Sequence, residues 1–207
     1  MKTYHHGNLK EELIACACKL CDRDGYTKLS IRSLAKESGV SQTAPYRHFE
    51  TKECVYAAVA TVGFKKLNEL VFFDSPKKIT KTKLVANASK YIEFGLKNAN
   101  TYDLMFGTAV GNFADYPDLL KSANETYDNM KDSFASLADD SEQIIAFKCI
   151  TLWSMLHGLV GIIRKVNVVG DDYDDSAGPI SSANMIANNL EEPVSYTHLT
   201  LPTILLV

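Results

Sequence analysis

Apolar residues recur along the chain at intervals of three and four, the spacing that places side chains on one side of a helix. Alternation of apolar and polar residues, which predicts a half-buried strand, is not seen before residue 193. The pattern therefore predicts an all-α protein. The expected helices cover residues 8–24, 30–38, 41–49, 52–73, 84–95, 101–109, 117–137, 142–165 and 180–190.

Two of these helices also predict how the chain is organised. The helix over 52–73 carries two apolar stripes, so we expect it to connect two bodies. The Ser-Pro-Lys-Lys sequence at 75–78 is the clearest domain boundary. The helix over 142–165 is apolar nearly all round and must be covered on every side. We expect one side to face the core and the other a partner subunit, with Leu159 and Ile163 at the partner-facing positions.

Residues 30–49 have the spacing of a helix-turn-helix motif. Gly39 lies where a left-handed turn residue is needed, Ala35 allows close helix approach, and Val40 with the apolar body of Tyr46 is expected to close the small core. The second helix keeps a free face whose side chains suit a major groove, although a plain helical hairpin with a solvated face has the same spacing. The projecting residues are Gln42, Thr43, Tyr46 and Arg47.

Composition and charge narrow the class of protein. The chain is 46% hydrophobic and 23% charged, near the globular average. Its net charge is −3, but the first 54 residues carry nine Lys and Arg against seven Asp and Glu, which indicates an anionic partner for this part alone. No apolar leader opens the chain, and the longest charge-free apolar run, between Lys148 and Arg164, has 15 residues. A bilayer span needs about 20, so we expect a cytoplasmic protein without a membrane partner.

Signals for catalysis and for cofactors are weak. Cys18 is turned about 160° from Cys16 on a helix, so these two and Cys21 do not converge on one ion, and we expect no metal. Ser154 and His157 lie one turn apart, but no carboxylate orients them. There is no phosphate loop or dinucleotide fingerprint. We expect no catalytic residue and no cofactor; a helical adaptor protein without DNA binding and a small helical enzyme stay as alternatives.

Four stretches resemble the TetR family of bacterial transcriptional regulators. Residues 4–9 (Tyr-His-His-Gly-Asn-Leu) and 40–53, with Tyr46, Phe49 and Lys52, look like its N-terminal DNA-binding domain. The Trp-Ser-Met-Leu-His-Gly sequence at 153–158 is similar to the Trp-His-Gly signature of one effector-domain class, and residues 100–106 look like the helix before its pocket. The chain departs from the family pattern at Pro45, which falls in the first turn of the recognition helix.

The resemblance implies a helix-turn-helix DNA-binding domain over 5–65 and a helical effector-binding and dimerisation domain over 76–192. It implies a homodimer, held by the last two helices, that binds a palindromic double-stranded DNA operator as a repressor and is released by a small-molecule effector of unknown identity. The arm at 5–6 (His-His) is expected near the DNA backbone, with a tag remnant or a metal pair as alternatives. The expected DNA-contacting residues are Ser41, Gln42, Thr43, Tyr46, Arg47, His48 and Lys52.

Lys52, at the start of a helix, is expected to pair with a backbone phosphate. His48 has the alternative role of capping the recognition helix. Residues 91–157 are rich in aromatic side chains and Met, with a few polar ends. Such a mixture is typical of ligand cavities, although core packing explains any single residue equally well. The expected effector contacts are Phe94, Tyr102, Met105, Phe106, Tyr127, Phe134, Trp153 and His157.

The last fifteen residues, 193–207, differ from the rest of the chain. They hold no charged residue, contain two prolines and are rich in Thr and β-branched residues. We expect them to be a non-native tail outside the functional fold. A genuine tail that packs in the dimer groove is the alternative.

Overall fold

The computed structural model of the chain describes residues 9–72, 79–169 and Ser181. Every regular element in these residues is helical, which confirms the all-α prediction. Short 3₁₀ turns lie at Tyr26–Lys28, Pro45–Arg47 and Phe113–Asp115. The α-helices are α1 (Leu9–Asp24), α2 (Ile31–Glu37), α3 (Lys52–Phe72), α4 (Lys81–Lys97), α5 (Ala99–Phe106), α6 (Pro117–Ala135) and α7 (Glu142–Val169).

Several expectations concern residues outside the described ranges. They are the arm at 5–6, the boundary at 75–78, the last helix at 180–190 apart from Ser181, and the tail at 193–207.

The chain forms two compact units. The first consists of residues 1–66 together with Asn98–Asn124, and the second of Leu67–Lys97 together with residues 125–207. Helix α3 therefore contributes to both units, the first as far as Lys66 and the second from Leu67 onward.

The first unit is built on the contact between α1 and α2. Ser30 begins α2 with a capping box, in which its side chain accepts from the backbone N–H of Ser33 and the Ser33 hydroxyl accepts from the backbone N–H of Ser30. Gly39 ends the turn after α2 with φ of 67°, so its left-handed conformation is confirmed. The fully buried side chains at its centre include Leu13, Ala17, Cys21, Leu34, Ala35 and Val59.

The helix expected over residues 41–49 is wrong as an α-helix. Its hydrogen bonds reach back three residues, from Ala44 N–H to Ser41 O (3.0 Å) and from Arg47 N–H to Ala44 O (3.2 Å), and the 3₁₀ turn covers Pro45–Arg47. Pro45 has no N–H, so it cannot donate to Ser41 O as an α-helix requires.

The expected role of Tyr46 in closing the small core is also wrong. Its side chain is 59% exposed, whereas Pro45 and Phe49, which lies four residues after the proline, are buried. Because the proline ring occupies the inward face of this short turn, the side chain of the next residue, Tyr46, faces solvent.

Helix α5 packs on α1 within the first unit. The Thr101 hydroxyl donates to Asp22 Oδ1 (2.8 Å), and the Asn100 amide donates to Asp22 O (3.1 Å). Gly63 of α3 faces this helix closely, since a Cβ built on it would lie 2.8 Å from Thr101 Cγ2 and 2.5 Å from Met105 Sδ. Glycine is thus the residue that lets α3 and α5 approach.

The second unit centres on the packing of α4 against α7. The indole N–H of Trp153 donates to the Tyr91 hydroxyl (3.1 Å). At the start of α7, Lys148 Nζ donates to Asp140 Oδ2 (2.8 Å), and both side chains are more than four-fifths buried. The buried side chains of these helices are Leu84, Asn87, Ala88, Tyr91, Ile92 and Phe94 in α4, and Cys149, Leu152, Leu156, Leu159, Val160 and Ile163 in α7.

The partner-facing positions expected on α7 are wrong. Leu159 is 8% exposed and Ile163 is 6% exposed within a single chain, so both belong to the core of their own subunit. The opposite side of α7 is the exposed one, and we call it the α7 outer face. It presents Ile144, Phe147, Ile150, Trp153, Ser154, His157, Gly158, Gly161 and Ile162.

Candidate DNA-binding surface and effector residues

The turn after Gly39 presents a continuous exposed surface. All six expected contact residues in this turn are exposed: Ser41, Gln42, Thr43, Tyr46, Arg47 and His48. Since Pro45 and Phe49 anchor the turn in the core, the exposed side chains are carried on a segment held at two points. This arrangement can present several polar side chains to one ligand surface.

Local hydrogen bonds define the shape of this turn. The Ser41 and Thr43 hydroxyl oxygens lie 3.3 Å apart and share a hydrogen bond. The backbone N–H of His48 donates to Pro45 O (2.9 Å), and the N–H of Phe49 donates to the same oxygen (2.9 Å). His48 therefore ends the turn through its backbone, while its side chain is exposed.

Lys52 lies at the start of α3 and is half-buried. Its ammonium lies 4.9 Å from the centre of the Tyr56 ring and donates to Thr27 O (3.5 Å). The Tyr56 hydroxyl in turn donates to Tyr26 O (2.8 Å). The side chain that was expected to reach a phosphate is thus folded back onto Tyr56 and the 3₁₀ turn at Tyr26–Lys28.

Two backbone N–H groups at the start of α3 are engaged by side chains. Thr51 Oγ1 accepts from the N–H of Cys54 (3.3 Å). The backbone N–H of Glu53 and the Thr51 hydroxyl lower the pKa of the Glu53 carboxyl. A phosphate at this helix start would have to compete with these groups.

Other basic residues of the first unit differ in whether they are free of acidic partners and exposed to solvent. Arg23 is held by two carboxylates, with 2.9 Å to Asp24 Oδ2 and 3.2 Å to Glu37 Oε1. Lys28, Arg32 and Lys36 are exposed. No motif marks these three residues individually, and the excess of Lys and Arg over Asp and Glu in the first 54 residues is the sequence signal for them.

Three of the expected effector contacts lie in the first unit: Tyr102, Met105 and Phe106. The rings of Tyr102 and Phe106 are 4.6 Å apart, and Phe106 packs edge-on against Phe64 at 5.4 Å. Phe113 also meets Phe64, at 6.3 Å. The structure thus adds Phe64 and Phe113 to this cluster. The sequence placed Phe64 in an apolar stripe of the helix over 52–73, whereas Phe113 belongs to the aromatic-rich stretch 91–157 without being chosen as an effector contact.

The other five expected effector contacts lie in the second unit. Phe94 and Phe134 are fully or nearly fully buried, and Tyr127 is half-buried. Trp153 contacts Tyr91 through its indole N–H, and His157 is exposed on the α7 outer face. The eight expected effector contacts are therefore divided between the two units, and they range from fully buried to exposed.

The α7 outer face carries five of the six large apolar side chains that are exposed among the described residues of the second unit. Phe147 is 73% exposed, and Ile144, Ile150, Trp153 and Ile162 are also exposed. No atom lies within 4 Å of a Cβ built on Gly158 or Gly161. Such a face, with large side chains beside small ones, suits close packing against another helix.

Two further observations concern metals and membranes. Among the described residues, no group of three or more His, Cys, Asp and Glu side chains could hold a metal ion. The stretch Glu142–Lys165 is long and apolar enough for a membrane span by length and composition, but this single helix is weak evidence because core helices pass the same test.

Comparison with known families decides the class of protein. Residues 13–59 match the sequence model described as bacterial regulatory proteins, tetR family. Residues 84–177 match the model described as tetracyclin repressor-like, C-terminal domain. The chain belongs to the TetR family. It is accordingly a ligand-responsive transcriptional regulator and not an enzyme.

Solved structures with this fold are similar over nearly the whole chain. A protein of unknown function from Rhodococcus sp. RHA1 has a TM-score of 0.67 and 22% identity, with 92% of this chain and 97% of that one covered. The TetR-family regulator PfmR from Thermus thermophilus has a TM-score of 0.57 and 14% identity, with coverage of 93% and 97%. FadR from Bacillus subtilis, solved with stearoyl-CoA, has a TM-score of 0.60 and 14% identity, with coverage of 88% and 97%. No curated protein matches the chain.

The two TetR-family matches bracket the candidate residues. All seven expected DNA contacts, from Ser41 to Lys52, lie within residues 13–59. All eight expected effector contacts, from Phe94 to His157, lie within residues 84–177.

Proposed function

We propose that this TetR-family chain is a cytoplasmic repressor that binds a palindromic operator as a homodimer and is released by a small-molecule effector. The observation that carries the DNA-binding part is the exposed turn after Gly39, anchored by buried Pro45 and Phe49. The proposed domains are 5–65 for DNA binding and 76–192 for effector binding and dimerisation.

Each exposed side chain of the turn has a chemical role in the proposed interface. Gln42 suits a two-point contact with adenine, Arg47 suits guanine or phosphate, and Thr43 suits the thymine methyl group. We assign contacts with the DNA backbone, at or near its phosphates, to Ser41, Tyr46 and His48. Lys52 reaches a phosphate only after its ammonium leaves Tyr56 and Thr27 O.

The second copy of this chain is the proposed occupant of the α7 outer face. An operator with two half-sites requires two DNA-binding domains about 34–36 Å apart. The regulator therefore needs a dimer interface outside its DNA-binding domain. The exposed aromatic and aliphatic residues of this face supply apolar area, and its glycines allow close helix approach.

The proposed effector is a small molecule that contacts aromatic residues and Met of the C-terminal region. The candidate contacts form two separate groups, each within one unit. The first unit contributes Tyr102, Met105 and Phe106, and the second contributes Phe94, Tyr127, Phe134, Trp153 and His157. FadR from Bacillus subtilis was solved with stearoyl-CoA, and the structure of the multidrug binding protein EbrR contains imidazole, so this fold accepts different ligands.

Selection of bound DNA from a random pool tests the DNA-binding proposal. The wild type should enrich a sequence with two related half-sites. Gln42→Ala should relax preference at one base, at a cost of about 1–3 kcal/mol for a two-point contact. Lys52→Ala should weaken binding to all sequences and reduce the salt slope by about one. A change of base preference in Lys52→Ala but not in Gln42→Ala would contradict the assigned roles.

Light scattering tests the dimer proposal. The wild type should be a dimer at micromolar concentration, and Phe147→Asp should give monomers with reduced operator affinity. Leu120→Asp is a matched control, because Leu120 is an exposed apolar residue of α6. A monomeric wild type, or equal effects of the two substitutions, would contradict the proposed interface.

A further inference from the structure

The recognition turn is wound differently from an α-helix. Ala44 N–H donates to Ser41 O at 3.0 Å, Arg47 N–H to Ala44 O at 3.2 Å, and His48 N–H to Pro45 O at 2.9 Å. Each bond spans three residues, which is the 3₁₀ pattern. Four-residue spacing returns at Phe49, whose N–H also donates to Pro45 O.

Pro45 accounts for this winding in two ways. It has no N–H to offer to Ser41 O, so that oxygen accepts from Ala44 instead. Its ring is also fully buried, so the turn is held to the core at the proline itself. Pro45 therefore has no access to a DNA base and acts only through the backbone.

The winding changes which side chains are neighbours. A 3₁₀ turn aligns residues three apart, whereas an α-helix aligns residues three and four apart. Arg47, which is exposed, is therefore aligned with Ala44, three residues earlier, and the pairing of Arg47 with Thr43 that an α-helix gives is weakened.

The winding also changes the distances along the turn. A 3₁₀ helix rises about 2.0 Å per residue and an α-helix about 1.5 Å. The 3₁₀ turn covers Pro45–Arg47, so its two steps advance about 4 Å and not about 3 Å. This difference of about 1 Å displaces Arg47 from its α-helical position by about a third of the spacing of about 3.4 Å between successive bases on a strand.

We propose that Pro45 is a positioning residue for operator specificity. It sets the register between the reading residues at the start of the turn, Gln42 and Thr43, and those at its end, Tyr46 and Arg47. This inference rests on the proposed DNA-binding function. It assigns part of the base preference to a residue that does not touch the DNA.

The test compares half-sites selected from one random DNA pool by the wild type and by two variants. Pro45→Ala restores the N–H and permits α-helical winding. Pro45→Val also restores the N–H and retains more of the buried volume, so it replaces Pro45→Ala if the smaller side chain prevents folding. We expect either folded variant to enrich a half-site that differs from the wild-type one at one or more positions.

Val40→Ala is the matched control. It truncates a half-buried apolar residue beside the same turn and leaves the hydrogen bonds of residues 41–49 possible. Val40→Ala should lower the affinity for DNA without changing the preferred bases. If Pro45 had a purely structural role, the Pro45 variants would behave in the same way. Identical half-sites for the wild type and the Pro45 variants would overturn this inference alone. A wild type that enriches no sequence would overturn the proposed function, and this inference with it.

Discussion

Replacing Gly63 by alanine should destabilise the first unit, because α3 and α5 leave no room for a side chain. The added Cβ would lie 2.5 Å from Met105 Sδ and 2.8 Å from Thr101 Cγ2. Met105 is 1% exposed, and Thr101 is held by its hydrogen bond to Asp22. Neither side chain can move away without disturbing other contacts.

The magnitude follows from two opposing effects. Overpacking of a core costs about 1–3 kcal/mol, while alanine stabilises a helix by about 1 kcal/mol relative to glycine. The upper end of the overpacking cost applies, because the added Cβ would lie only 2.5 Å from Met105 Sδ, so the net loss is about 2 kcal/mol of unfolding free energy. For a chain of this size, each kcal/mol lowers Tm by about 2–4 °C, so we expect a decrease of about 4–8 °C.

Thermal unfolding followed by circular dichroism measures this effect, with all variants at one protein concentration. Thr101→Ser removes the obstructing methyl group and retains the hydroxyl that donates to Asp22. In that background Gly63→Ala should cost less, by about 1 kcal/mol. Gly111→Ala is the control, since nothing lies within 4 Å of its Cβ position. A Gly63→Ala protein as stable as the wild type, or an equal loss in both backgrounds, would refute this reasoning.

Three further predictions concern a thiol, a cap and a hydrogen bond. Burial raises the pKa of the Cys149 thiol to about 11, so its contribution to stability is complete below about pH 9 and lost as pH rises toward 11. In urea unfolding, the free energy of unfolding should decrease less for Cys149→Val than for the wild type between about pH 9 and 11. Equal decreases would show that ionisation of Cys149 does not contribute to the loss of stability. Ser30→Ala, which removes the acceptor for Ser33 N–H, should lower the unfolding free energy by about 0.5–2 kcal/mol; no loss in calorimetry would contradict a working cap. Tyr91→Phe removes the hydroxyl that accepts from Trp153, the chain's single tryptophan, so its fluorescence should change; an identical spectrum would contradict the contact.

Local sequence signals predicted the helices well. Proline at 117 and glutamate at 142 begin α6 and α7 where expected, and Lys52 begins α3. These positions depend on capping and on the side-chain period, which involve residues close in sequence. The same holds for Gly39, because a left-handed turn residue is required by the adjoining backbone alone.

The candidate site was predicted in part. The exposed residues of the turn follow from a pattern of polar and apolar positions within ten residues. The engagement of Lys52 with Tyr56 and Thr27 O joins the start of α3 to a turn 25 residues earlier, which no local pattern contains. The cluster of Phe64 with Phe106 and Phe113 likewise forms between distant segments.

The sequence by itself predicted that the protein is helical, that it has the TetR-type turn and that α7 is apolar nearly all round. Only the tertiary structure decided which side of α7 is the core, because Leu159 and Phe147 are both apolar and differ only in what packs on them. It also decided that Pro45 is buried and Tyr46 exposed. The missing N–H of Pro45 is local, but the direction of its ring depends on space left by helices that meet only in the folded chain.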